Sequence, residues 1–240
     1  MLQPCYYNHD QARPFKNDSK IVALAHYSVK EYLTSEQILQ SRAARYGIQE
    51  ISCNEFIAKG CIGYLLQFQV LGSLSNENIQ ESKLALYAAK FWIAHTKAVA
   101  QKAEALNCLI MEFFSTGNSD YLNWARMYNL ERPWKVPGFN RKLAKVPAPL
   151  YYASLNGLIE IVGLIVLEAD VDVNAQGGDY GSALQAASAR GHEKIVLLLL
   201  DKGAEINAQG GGYGSALQAA SARGHKKILE LLISKGADSC

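Results

Sequence analysis

Hydrolytic chemistry needs a nucleophile, a base that takes its proton and a group that orients the base. Cys61 and His95 can be paired on paper, both in stretches with helical apolar spacing. Cys61 sits on an apolar face, where a thiol is usually inert, so the pair reads as core packing. Cys5-x-x-x-His9 offers two zinc ligands without a second pair, and a structural zinc wants four. His192 and His225 recur with an internal repeat, which makes them structural. No G-x-x-x-x-G-K-[ST] occurs, so no loop of backbone N–H groups is present to cradle phosphates. The expectation is a non-enzyme: no catalytic residues, no cofactor, no metal and no bound nucleotide.

The balance of residue types excludes further classes. The 240 residues hold 24 Lys+Arg against 22 Asp+Glu, with 49% hydrophobic and 19% charged residues. That is too apolar for a disordered chain and long enough to bury a core. A net charge of +2 argues against a dedicated nucleic-acid binder. No apolar run reaches the ~18 residues of a membrane span, so no membrane partner is expected. The five cysteines are odd in number and scattered, with no CxxC, and the N-terminus has no apolar signal region. Both point to a reducing, cytoplasmic setting.

The two halves differ. Thirteen of the 19 glycines lie after residue 145, and four of the six prolines fall at Pro133, Pro137, Pro147 and Pro149. Residues 1–145 carry 17 Lys+Arg against 12 Asp+Glu, and residues 146–240 carry 7 against 10. A composition break with clustered prolines reads as a linker. Arg132, Lys135, Arg141, Lys142 and Lys145 make that linker basic. It reads as a solvated connector; contact with an acidic partner or a phosphate is the sharper alternative.

The second half repeats itself. Tyr180-Gly-Ser-Ala-Leu-Gln-Ala-Ala-Ser-Ala-Arg-Gly-His192 recurs unchanged at Tyr213–His225, 33 residues on, and a degraded copy starts at Ala148-Pro149-Leu150-Tyr151. Ser182 with Gln185, and Ser215 with Gln218, have the spacing of a capping box that opens a helix. Gly191 and Gly224 suit the left-handed residue that closes it. Ile195, Leu198 and Leu199, like Ile228, Leu231 and Leu232, put apolar groups on one face of a second helix. Gly203 and Gly236 suit its C-terminal cap, where the first copy has the less tolerant Asp170. Residues 147–240 thus resemble the ankyrin repeat, with Ser-Ala-Leu-Gln in place of the family's T-P-L-H and glycine-rich hairpins between units. The expected repeats are 147–179, 180–212 and 213–240, the last truncated inside its motif. The glycines leave Tyr180 and Tyr213 as the main side chains at the hairpin tips.

The first half reads as mainly helical. Ile21–Ala25 suits a short buried strand and Val29–Leu33 a helix capped by Ser28. Helical spacing marks Asn54–Phe68 (Ile57, Cys61, Tyr64, Leu65, Phe68), Ser82–Ala98 (Leu84, Ala88, Phe91, His95), Lys102–Phe114 (Leu106, Leu109, Ile110, Phe113) and Asp120–Tyr128 (Tyr121, Trp124, Ala125, Tyr128). These helices are expected to share one core, with the aromatics inside it. His26-Tyr27-Ser28-Val29-Lys30-Glu31-Tyr32-Leu33 resembles the closing strand and helix of the winged-helix domain in NACHT-type (STAND) signal-transduction NTPases. Tyr87–His95, Trp124-Ala-Arg126 and Arg132-Pro133-Trp134 are similar to segments of fungal members that carry ankyrin repeats. The resemblance implies a phosphate-contacting role for the histidine matching His26, but without a phosphate loop that histidine is an orphan here. It divides the chain into an incomplete winged-helix remnant (1–46), a helical domain (47–130), the basic linker (131–146) and the repeats (147–240). The fold class expected is mainly α, a helical domain with short strands at its start followed by an α-solenoid of about three repeats.

The function this implies is a protein–protein interaction module, the sensor or scaffold end of a signalling NTPase-like protein. It would bind a protein partner through hairpin tips and inner helices. Gln176, Asp179, Tyr180, Arg190, Gln209, Tyr213 and Arg223 fall on that face, and Tyr and Arg dominate interface energetics. The alternative is a regulatory piece of an enzyme whose catalytic domain is absent from this chain. Nucleic-acid binding through the basic linker is weaker, because the repeat half is acidic.

Overall fold

The computed structural model describes residues 35–40, 42, 50–68, 74–75, 77–79, 81–82, 84–99, 103–115, 119–139 and 146–238. The strand expected at 21–25, the helix at 29–33, Cys5, His9 and His26 lie outside these, as do Arg141, Lys142 and Lys145. The chain forms two compact units, Met1–Cys53 and Asn54–Cys240. The described part of the first contains the one-turn helix α1 (Glu36–Leu39), preceded by an extended Ser35, and the opening turn of α2 (Glu50–Leu65).

The second unit is helical, with no strand among the described residues beyond two isolated bridges, Gly177–Gly181 and Gly210–Gly214. After α2 come α3 (Ala85–Ala98), α4 (Glu104–Phe114) and α5 (Ser119–Met127). The expected aromatic core forms around Trp92. Its ring meets Phe113, Phe114 and Trp124 edge-on, with centroids 5.8, 5.8 and 5.6 Å away, the geometry that aromatic quadrupoles favour. The Trp124 indole N–H donates to the Ala89 carbonyl at 2.9 Å and ties α5 to α3. On α4 the expected Leu106, Ile110 and Phe113 are buried. On α3 the buried face is Ala85, Ala88, Ala89, Trp92 and Ile93, so the expected stripe is corrected by about one residue. Leu84 and Phe91 face outward at 60% and 36% exposure.

Three helix pairs follow: α6 (Pro149–Asn156) with α7 (Ile159–Ile165), α8 (Ala183–Arg190) with α9 (Glu193–Asp201), and α10 (Ala216–Ala222) with α11 (Lys226–Ser234). The first helices stack on one another, α6 on α8 on α10. Alanines make this close approach possible; Ala183, Ala186, Ala187, Ala216, Ala219 and Ala220 are buried between them. The second helices bury Ile161, Val162 and Ile165, then Ile195, Val196 and Leu199, then Ile228 and Leu232. Leu198 and Leu231, expected inside, are half-buried.

Helices α4 and α5 pack directly against the first repeat. The Trp124 ring meets Tyr152 of α6 at 5.4 Å, the Tyr121 hydroxyl donates to the Pro147 carbonyl, and α4 packs on α7. One hydrophobic cluster therefore runs from Ala58 to Leu232. No helix among the described residues is long and apolar enough to cross a membrane.

Candidate interaction surface

The glycine-rich stretches form the hairpins that join the repeats. Gly177 N–H donates to Gly181 O at 2.6 Å, and Gly210 N–H to Gly214 O at 2.7 Å. Successive hairpins touch backbone to backbone, with Gly212 N–H donating to Asp179 O at 2.8 Å. Side chains on a Cβ would obstruct this. A Cβ on Gly211 would lie 2.2 Å from the Tyr180 carbonyl.

The two repeat tyrosines stack as parallel rings, with centroids 5.6 Å apart and planes within 4°. The Arg190 guanidinium lies 5.7 Å from the Tyr180 ring centre and Arg223 5.4 Å from that of Tyr213. These are cation–π distances. Arg223 also donates to the Tyr180 hydroxyl at 3.3 Å. The result is a ladder, tyrosine on tyrosine with an arginine beside each, along the face where hairpins meet inner helices. A groove of about 620 Å³ runs past Asp179, Tyr180, Gly212, Tyr213 and Arg223. No described carboxylate lies within ion-pairing distance of Arg190 or Arg223.

Two of the expected contact residues are occupied from within. Tyr180 is 7% exposed, which corrects its placement as a free hairpin tip. Its N–H donates to the Tyr151 hydroxyl at 3.1 Å. Asp179 is exposed, but its carboxylate accepts two bonds from the Arg132 guanidinium, at 2.8 and 2.9 Å. Glu131 completes the latch, accepting from the Tyr151 hydroxyl and the Asp179 N–H. Burial, with the Glu131 bond adding to it, pushes the Tyr151 phenol well above its usual range. Arg132 thus serves the fold, while Lys135 and Val136 remain exposed. Gln176 and Gln209 are exposed, with their amides turned back on the Asn174 and Asn207 carbonyls at 3.3 and 3.2 Å.

Tyr151 escaped the sequence reading although its position carried the signal. It stands in Ala148-Pro-Leu-Tyr151 where later repeats have Gln185 and Gln218. Gln185 performs the matching task. Its side-chain N–H groups face the carbonyls of Ala208, Gly210 and Gly214, at 3.3, 3.2 and 2.6 Å, in the following hairpin. Ser182 accepts from the Gln185 N–H as expected, but this glutamine does not reciprocate. The full capping box forms at Ser215, whose N–H donates to Gln218 Oε1 at 2.9 Å.

Among the described residues, Cys61, His95, His192 and His225 have structural roles. His95 is held between Asn54 Oδ1 at 2.8 Å and the Tyr87 hydroxyl at 3.0 Å. Cys61 is buried, and burial raises its thiol pKa, the reverse of what a nucleophile needs. His192 and His225 donate through Nε2 to the carbonyls of Leu155 and Ala189, at 3.3 and 3.1 Å, and so staple each repeat to the one before. No cluster of three metal-ligating side chains occurs among the described residues.

Residues 147–240 match the family model for ankyrin repeats in three copies. The three helix pairs are therefore ankyrin repeats, and they mark a protein–protein interaction module. Over 186 residues the chain is 40% identical to azaphilone pigments biosynthesis cluster protein L of Monascus ruber. That alignment takes in 73% of this chain, more than the repeats alone supply, and 39% of the relative. The chain thus spans about two-fifths of the length of this curated relative.

Proposed function

We propose that the repeats capture a protein partner along the arginine–tyrosine ladder. Arg190, Arg223 and Tyr213 would make the direct contacts, with Gln176, Asp179 and Gln209 on the rim and Tyr180 as the buried support beneath them. The observation that carries this reading is the pair of guanidiniums aligned on one face with no described carboxylate to neutralise them. Arginine held over an aromatic ring is pre-organised, and less entropy is lost when it binds. An acidic partner surface fits the charge.

The test is a double charge reversal, Arg190→Glu with Arg223→Glu, on the immobilised chain. Partner capture should be lost while far-UV circular dichroism stays unchanged. Capture that persists sinks the ladder as the site.

We further infer that the module is the sensor end of a larger NACHT-type signalling protein working inside the cell. In this scheme residues 1–46 are a winged-helix remnant, 47–130 a helical domain and 131–146 the connector to the repeats. Nucleotide chemistry would then belong to a separate region of that protein. The length of the Monascus relative and the free thiols of Cys53, Cys61 and Cys108 support this reading. Immunoblotting cell extract with an antibody against the repeats tests it. A band well above 26.3 kDa is expected, and a single band at that mass would count against it.

A further inference from the structure

Arg190 also borders a pocket between α3, the 128–134 segment and the repeats. Its volume is about 650 Å³, within the range of small-molecule sites. Its floor includes the buried Ile93 and Leu155. Three basic side chains line it: Lys90 and Lys97, two turns apart on α3, and Arg190 at the end of α8. Glu131 is the one carboxylate in the lining, and its Oε1 already accepts from Tyr151 and Asp179. None of the three cations has a described carboxylate within ion-pairing distance. Burial, and then the charge of Arg190, push the Lys97 amine below its usual range. Burial and the neighbouring Arg190 thus both disfavour the charged form of the Lys97 amine.

Trp134 forms part of the wall and is 77% exposed, whereas Trp92 and Trp124 are fully buried. A solvated indole beside these cations offers a flat apolar face. Lys90 lies over the Phe91 ring at 5.0 Å and Arg190 over the Tyr180 ring. No described carboxylate neutralises either, and a dense compact anion supplies the charge they lack. An extended acidic peptide spreads its carboxylates along the chain and so brings less charge to a pocket of this size than a phosphate-class anion does.

We propose that this pocket binds a compact polyanion, a small molecule of the phosphate class, through Lys90, Lys97 and Arg190, with Trp134 as a platform for any ring it carries. Nothing in this site depends on the partner-binding reading, although Arg190 borders both surfaces.

The experiment is calorimetric titration of the full chain with inorganic tripolyphosphate at about 50 and about 200 mM salt. One site per chain is expected, with weaker binding at the higher salt, as a charge-driven contact requires. Lys97→Gln and Arg190→Gln should each weaken binding about tenfold or more, while Lys227→Gln on α11 leaves it unchanged. Trp134 should become protected from acrylamide quenching on binding. Lys97→Gln should also raise the melting temperature of the free chain slightly, which shows that the variant folds. Partner capture by Lys97→Gln should be unaffected, so failure of this site and failure of the ladder are separable. Absence of binding, or binding that survives both Gln variants, overturns the proposal. Tighter binding of a tetraglutamate peptide than of tripolyphosphate at the same residues also overturns it, and assigns the pocket to an acidic protein segment.

Discussion

The second and third repeats carry the same thirteen residues, Tyr180–His192 and Tyr213–His225, and live in different surroundings. Gln185 is 1% exposed and Ser188 fully buried; Gln218 and Ser221, their copies, are exposed. Tyr180 is buried and Tyr213 half-buried. The difference is what lies beyond. The second repeat is covered by the third, and its glutamine reaches across. Gln218 bonds within its own repeat and closes the capping box. Burial in a solenoid belongs to the neighbour as much as to the residue.

Paired substitutions test how far this goes. Tyr180→Ala should cost about 3 kcal/mol or more and Tyr213→Ala roughly a third of that, since truncating a buried aromatic also leaves a cavity. Urea midpoints of the two variants would show it, and equal losses would mean the ring stack, not burial, sets the cost.

A nearly isosteric change should produce opposite signs. Gln185→Glu sets a carboxylate against three carbonyls and should cost about 2–3 kcal/mol. Gln218→Glu keeps its bond from the Ser215 N–H and sits at a helix N-terminus that favours an anion, so it should be neutral or stabilising by about 0.5 kcal/mol. Thermal melts of both, compared with wild type, decide it.

Gly191 and Gly224 have φ of +81° and +74°, and alanine in either place should cost about 1 kcal/mol from backbone conformation alone. At Gly191 the added methyl would also lie 2.7 Å from the His225 ring, while at Gly224 it meets nothing within 4 Å. Gly191→Ala should therefore lose about 1 kcal/mol more, through the His225–Ala189 bond. Equal melting shifts would show that the ring moves aside freely.

The smallest expected effect is acid sensitivity at His192. Burial pushes this imidazole below its ordinary 6.5, and the nearby cations Lys97 and Arg190 add to the shift. As pH falls through about 6.5 the unfolded chain takes up the proton first, so stability is present above that pH and declines below it. Urea midpoints at pH 7.5 and 5.5 should fall less for His192→Gln than for wild type.

What could be read in advance follows from where the information lies. The repeats announce themselves through an unbroken 33-residue offset, and their glycines and serines sit where local geometry demands them. The periodicity does not settle the α3 stripe because Ala85-Leu-Tyr-Ala-Ala-Lys-Phe-Trp-Ile-Ala94 is apolar nearly all round; packing on α4 and α5 picks the Trp92 face. Tyr180 reads as free because it stands in the glycine-rich stretch Gly177-Gly178-Asp179-Tyr180-Gly181; Tyr151 and Tyr213, distant in sequence, pack against it. The basic pocket was invisible for the same reason. Lys97 and Arg190 are 93 residues apart, and no spacing rule reaches that far.

Almost every polar contact between one repeat and the next ends on main chain. Gln185 addresses three carbonyls, His225 one, and Asn174 the Gly203 carbonyl and the Glu205 N–H. A joint written in backbone atoms is blind to the identity of the residues it joins. Recombination between the near-identical copies could therefore delete or add a whole unit without any compensating change at the seam. The number of rungs in the arginine–tyrosine ladder would change with it, so the length of the recognition surface can drift while each interface stays as it was.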